Sequence, residues 1–280
     1  MQIEVDKAKW IQTWGEDPGW RAFVGMIAAP AMGLSVLEFQ KIAPRGVIAA
    51  EHHTYTTDKD GIPVPFTFTT EGAQQLAAQA EHCALVFKAM GVDLIALCGT
   101  PTAFSVEGGY ATCLEEQTRI EKRTGLPFVS MGLSLPFGIK KAGAKTAAVS
   151  CTYYSEAYRR NLTRFLEDAG IKVLGCENWV SQGIYSSFDM IKGQPTRRFA
   201  MSLTYRSAKQ VAEKYPDADC VVSVGGAVFT LDMLEALEMD LRKPVISATG
   251  AFLYEIFYRL GIWEAIPGRG SLLASLDKGA

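Results

Sequence analysis

The chain has 280 residues, 48% apolar and 21% charged, enough hydrocarbon for a substantial core in one large domain or two of ordinary size. Its net charge is −2 with no basic run, which excludes the electrostatic footprint of a nucleic-acid binder. No stretch approaches the roughly 18 apolar residues of a membrane span, and the opening Met-Gln-Ile-Glu-Val-Asp-Lys lacks a signal-peptide layout.

A cytoplasmic protein with no nucleic-acid or membrane partner is therefore expected. Its six cysteines, Cys83, Cys98, Cys113, Cys151, Cys176 and Cys220, lack CxxC spacing and read as buried reduced thiols.

Residues 1–20 carry Trp10, Trp14 and Trp20 among mixed charges and read as a short helix packed on the body or on another subunit, which leaves a homo-oligomer open. The first strand signal, residues 22–29, ends in Pro30-Ala-Met-Gly33, a tight loop whose amides can face a ligand. A second strand, residues 46–50, runs into Glu51-His52-His53, so either histidine is a candidate acid or base, the alternative being a partly solvated loop. Residues 57–70 are polar and turn-rich and read as a lid or crossing loop. Residues 72–90 have helical periodicity closed by Gly91, which makes His82 structural.

The burst Asp93-Leu-Ile-Ala-Leu97 reads as a buried parallel strand that empties into Cys98-Gly99-Thr100-Pro101-Thr102. A helix at 110–124, a strand at 126–131 and a helix at 134–142 follow. The order then restarts. A strand at 145–150 ends in Cys151-Thr152-Tyr153-Tyr154-Ser155, followed by a helix at 156–169, a strand at 171–176, an irregular stretch at 177–195 that lines the cleft from the far side, and a helix at 196–215. A second strand of the organising kind, Asp219-Cys-Val-Val-Ser223, empties into Val224-Gly225-Gly226, with Thr230 as a helix cap and Asp232 in the first turn. A helix at 233–241, a strand at 244–247 and a helix at 251–260 complete the pattern.

Strand–helix alternation throughout predicts parallel strands joined by right-handed crossovers. The expected fold is α/β in two similar halves, residues 1–142 and 143–247, with residues 248–280 returning to pack on the first. Four strand ends offer small residues and hydroxyls: 30–33, 99–100, 152–155 and 223–226. None holds a lysine or arginine, and neither GxGxxG nor a P-loop is present, which favours a small carboxylate held by amides and hydroxyls over a polyphosphate.

Taken together, Val24-Gly-Met-Ile-Ala-Ala-Pro30-Ala-Met-Gly33, Gly99-Thr100-Pro-Thr-Ala-Phe104, Thr124-Gly-Leu-Pro127, Thr152-Tyr153-Tyr154, Ser223-Val224-Gly225-Gly226, Thr230-Leu-Asp232 and Lys243-Pro-Val-Ile-Ser247 resemble the aspartate/glutamate racemase superfamily. Within it they are most similar to the arylmalonate decarboxylases and maleate isomerases. The resemblance implies two pseudo-symmetric flavodoxin-like halves with the active site between them, no metal and no organic cofactor. It further implies an enediolate stabilised by amides and hydroxyls, with the carboxylate to be lost held against apolar side chains.

By position, Gly99 stands where the racemases carry their first thiol, as glycine does in the decarboxylases. Thr100, Tyr154, Gly225 and Gly226 stand at carboxylate-holding positions, with Tyr153 and Ser155 beside them and Pro30 and Gly33 in the adjoining loop. The chain departs from the pattern at Val224, where the proton-donating thiol is expected and no proton can be given. Cys98, Tyr154, His52 and His53 remain as candidate acids, Cys98 only if the strand end is twisted or its register shifted.

The expected activity is a cofactor-independent decarboxylase-like lyase acting on a small malonate-like carboxylate. The alternatives are an isomerase or racemase using Cys98, a carboxylate-binding protein that has lost its thiols, and hydrolysis with His52 or His53 as base.

Overall fold

The apolar bursts at 22–28, 94–97, 146–150 and 220–223 become strands buried almost throughout, as the crossover helices of a parallel sheet require, while those at 47–53 and 172–177 are only partly buried. The structure is a computed structural model that describes residues 19–28, 34–64, 70–100, 103, 109–192, 199–225 and 228–277. The loop at 30–33, the segment with Trp10 and Trp14, and Gly226 lie outside the described residues.

The first half runs β1 (Ala22–Ala28), α1 (Leu34–Ile42), β2 (Val47–His53), the small antiparallel pair β3 (Thr56–Thr57) and β4 (Pro63–Val64), α2 (Thr70–Met90), β5 (Leu94–Leu97), α3 (Gly109–Thr124), β6 (Phe128–Ser130) and α4 (Met131–Lys141). The second runs β7 (Thr146–Ser150), α5 (Glu156–Asp168), β8 (Lys172–Glu177), α6 (Phe188–Lys192), α7 (Met201–Lys214), β9 (Cys220–Ser223), α8 (Leu231–Leu241) and β10 (Val245–Ser247). Then come α9 (Ala248–Arg259) and the short α10 (Ser271–Ala274).

The strands form two parallel four-stranded sheets, ordered β2-β1-β5-β6 and β10-β9-β7-β8. Counted from the start of each half, both orders are 2-1-3-4, so the halves share one winding. That order reverses direction between its first and third strands, β1 and β5 in one half and β7 and β9 in the other. Ligands of open parallel sheets bind in the crevice outside the carboxyl ends at such a reversal. The loops there are the four strand ends singled out in the sequence.

One face of the first sheet (Ile27, Ile95, Leu97) packs on α2 and α3 through Ala80, Ala84, Phe87 and Ile120. The opposite face (Val24, Met26, Ala28, Ala96, Cys98) joins a single core with the second half, including Ala147, Val149, Val222 and Val224. The helix α9 lies against α4 and also touches α1.

Several expectations are corrected by the coordinates. The strand β2 runs through Glu51, His52 and His53, which pair with Met26, Ile27 and Ala28, so both histidines are strand residues. The turn-rich stretch holds the β3–β4 pair, and the irregular stretch holds α6. The helix expected from residue 196 begins at Met201, whereas α4 starts at Met131, α8 at Leu231 and α9 at Ala248, each earlier than expected.

Candidate functional site

The centre of the site is a contact between the halves. The Thr100 hydroxyl, just past β5, lies 2.5 Å from the Tyr154 hydroxyl, just past β7, and both residues are 0% exposed. Isolated from water, two hydroxyls this close form a strong pair whose loss would be costly. Burial, reinforced by the neighbouring Tyr153, holds the Tyr154 phenol well above its ordinary range. It stays protonated, a hydrogen-bond donor to a negative oxygen and no general base.

Backbone geometry brings the remaining loops to this contact. Gly99 donates its amide to Met131 Sδ at 3.4 Å. Thr152 takes a left-handed φ of 47° and donates its hydroxyl to the Val224 carbonyl at 2.7 Å, tying the loop after β7 to the loop after β9. Gly225 has φ 137°, and a Cβ there would stand 2.7 Å from Thr152 Oγ1 and 3.0 Å from the Tyr153 ring. Only glycine lets this backbone approach the tyrosines so closely. Gly99, Thr100, Tyr153, Tyr154 and Gly225 are thus brought together.

Tyr153 also anchors an aromatic wall. Its ring lies parallel to Phe199 at 5.6 Å and edge-on to Trp179 at 5.8 Å, and Trp179 in turn stacks on Tyr185. Trp179 and Tyr185 come from the stretch after β8, and Trp179, fully buried two residues past that strand, is a residue that sequence reasoning missed. A lone tryptophan directly after a strand end was the available signal.

Other expected site residues stand apart from the contact or are engaged elsewhere. Ser155 caps α5, accepting from the Tyr158 amide at 3.4 Å. Val224 is buried in the core between the halves and its amide donates to Ser150. Cys98 is packed in that same core, where burial, with Glu51 adding to it, drives its thiol far above the ordinary range. His52 faces the other side of the first sheet, with Nδ1 3.5 Å from Cys83 Sγ and its ring edge-on to Phe87. His53 pairs with Glu51 at 3.1 Å. Pro30, Gly33 and Gly226 lie outside the described residues. Among the described residues no three His, Cys, Asp or Glu side chains cluster as metal ligands, and no helix is long and apolar enough to cross a membrane.

One residue that sequence reasoning missed is Glu38. It lies on the buried face of α1 with Ser35, Val36 and Phe39. Its Oε1 accepts from the Thr230 amide at 2.7 Å and the Leu231 amide at 2.9 Å, at the start of α8 in the other half. It fills the capping role expected of Thr230, whose own side chain makes no cap bond.

Two like-wound parallel α/β halves thus meet at their strand ends over buried neutral donors. The arylmalonate decarboxylase family pattern matches residues 24–273, and the chain belongs to that family of enzymes. It is 22% identical over 244 residues to the arylmalonate decarboxylase of Bordetella bronchiseptica, covering 87% of this chain and 88% of that protein. Among solved structures, a liganded double mutant of arylmalonate decarboxylase superposes with a TM-score of 0.74 at 21% identity, covering 90% of this chain and 98% of that one. A maleate isomerase variant from Pseudomonas putida S16, solved with maleate, gives 0.70 at 19% identity, covering 91% and 98%.

Proposed function

We propose that this protein is a cofactor-independent lyase that removes carbon dioxide from a small malonate-like acid by way of an enediolate. The observation that carries the reading is the Thr100–Tyr154 hydroxyl pair, one member from each half, with the Gly225 backbone close against Thr152 and Tyr153. Donors fixed in a water-poor seam stabilise an oxyanion without reorganising as charge develops.

In this reading one carboxylate is held by the hydroxyls and amides, while the other lies against the aromatic wall of Tyr153, Trp179 and Phe199. The bond from the α-carbon to the second carboxylate breaks, carbon dioxide leaves, and the electron pair passes into the enediolate. A proton then returns to the α-carbon. With Val224 unable to supply it and Cys98 held in the core, this reading assigns the delivery to the Tyr154 phenol, the most acidic of the hydroxyls that meet there. The phenolate left behind regains its proton from water admitted as the product leaves.

The test is to incubate the protein with phenylmalonate and follow carbon dioxide release. Turnover that falls by about 10²–10³ in Thr100→Ala or Tyr154→Phe supports the assignment. Rates unchanged by either substitution reject it. The second reading, a carboxylate-binding protein, is favoured by Val224 at the thiol position. It predicts calorimetric binding of phenylmalonate with no product over days.

A further inference from the structure

The loop from β9 to α8 is pinned at both ends, and the two pins lie in different halves of the molecule. At its start, the Val224 amide donates to the Ser150 carbonyl and the Val224 carbonyl accepts from Thr152, so this end belongs to the second half. The Gly225 carbonyl then accepts from the Val228 amide, closing a turn. At its far end, Thr230 and Leu231 donate to Glu38 Oε1, which sits on α1 in the first half.

Glu38 is 2% exposed, and its second oxygen, Oε2, has no hydrogen-bond partner among the described residues. Asp232, in the first turn of α8, is the charged group that bears on it, and Asp232 is itself paired with Lys41, one turn further along α1, at 3.4 Å and with Arg269 at 2.6 Å. From α9, the Thr249 side chain contributes a favourable contact. A carboxylate buried with one oxygen unpartnered is expensive. A shorter polar cap such as the adjacent Thr230 hydroxyl would close the helix locally, without reaching across the molecule.

We propose that Glu38 is a positioning residue: by gripping the end of the β9–α8 loop from the opposite half, it sets Gly225 against Tyr153 and Thr152 and holds the two halves of the pocket in register. The proposal deepens the reading of the cleft as an oxyanion pocket and rests on it for the ligand arm of its test. Lys41, also on α1, adds exposed contacts to the Phe229 ring at 4.9 Å and to Asp232 at 3.4 Å, but Glu38 supplies the buried backbone hydrogen bonds between α1 and this loop. Leaving the Thr230 and Leu231 amides without this buried acceptor costs about 1–3 kcal/mol, or roughly fivefold to a hundredfold in the population of the anchored loop.

The experiment compares wild type with Glu38→Ala, Glu38→Gln and a control, Phe39→Leu, which loosens the same helix against Phe257 and keeps the Glu38 carboxyl. Two quantities are read below the melting transition: hydrogen–deuterium exchange at the Thr230 and Leu231 amides, and calorimetric affinity for phenylmalonate. Glu38→Ala is expected to speed exchange at those amides and weaken phenylmalonate, each by about fivefold or more. Glu38→Gln, which keeps the accepting oxygen, should recover most of both, and Phe39→Leu should change neither.

Should Glu38→Ala fail to fold, Glu38→Asp, one methylene short of the amides, takes its place. Exchange and affinity in Glu38→Ala that match Phe39→Leu overturn the proposal, as does fast exchange with undiminished affinity. If wild type does not bind phenylmalonate at all, the reading of the cleft falls. Exchange at the two amides then decides the anchor alone, with protection in wild type and Glu38→Gln but not in Glu38→Ala supporting it.

Discussion

Thr100 and Tyr154 donate the hydroxyls that join the halves at 2.5 Å, and neither presents any surface to solvent. The contact is one buried hydrogen bond between the two halves. Removing one partner has a cost in stability as well as in chemistry. Thr100→Val, close to isosteric, removes this one buried hydrogen bond, and the expected loss is about 1–3 kcal/mol. Thr100→Ser keeps the hydroxyl and should recover most of that loss. Thermal unfolding of the three proteins checks it, and equal midpoints would show that the pair carries little energy.

Gly225 supplies the second prediction. An alanine there would need φ near 137°, and its methyl would meet Thr152 Oγ1 at 2.7 Å. Both the backbone strain and the displaced Thr152–Val224 hydrogen bond act against the loop, for an expected total of roughly 2–4 kcal/mol. Gly225→Ala should lower the melting midpoint and abolish phenylmalonate binding together. A variant that binds normally would remove Gly225 from the pocket.

The parallel core was legible because its strands are apolar throughout and end in small residues, a pattern set by burial on both faces. Leu94–Leu97 and Cys220–Ser223 announce themselves this way, and the loops that follow them inherit the site from topology alone. His52 was misread because hydrophobicity stops at Ala50 while the ladder to β1 continues for three more residues. At a sheet edge, pairing with a neighbour needs only backbone, so polar side chains carry no signal that the strand goes on. Glu38 was invisible for the complementary reason. A lone carboxylate on an amphipathic helix looks solvated, and only the amides at the start of α8, almost two hundred residues away in sequence, explain its burial.

Val224 carries the third prediction. It occupies the position where the resemblance places a proton-donating thiol, at the end of β9 beside Gly225. Val224→Cys restores an acid of similar volume, and general acid catalysis is worth about 10²–10⁴. If proton return limits turnover of phenylmalonate, the variant should exceed wild type by about 10² or more, and iodoacetamide should cancel the gain. A rate equal to wild type would show that this loop does not present its side chain to the α-carbon.

The last prediction concerns pH. Burial raises the Glu38 carboxyl from 4.5 to about 7, against the opposing pull of the Leu231 and Thr230 amides. Because the folded-state value lies above the unfolded one, the native protein holds this proton over a range where the unfolded chain has released it. The stability linked to Glu38 is therefore fully present below pH 4.5 and is lost as pH rises to about 7. The total is roughly 3 kcal/mol at 1.36 kcal/mol per unit. Carboxylates held below their usual range, such as Asp219 and Asp240, act in the opposite sense at lower pH, so the wild-type curve alone mixes several groups. Subtracting the curve of Glu38→Gln, which cannot ionise, isolates one. Relative to that variant, wild type should lose stability steadily between pH 5 and 7 and then level off. Denaturant unfolding at half-unit intervals measures the difference directly. Parallel curves would mean that Glu38 ionises in the native protein as readily as in the unfolded chain, and that its burial is compensated by partners beyond the Thr230 and Leu231 amides.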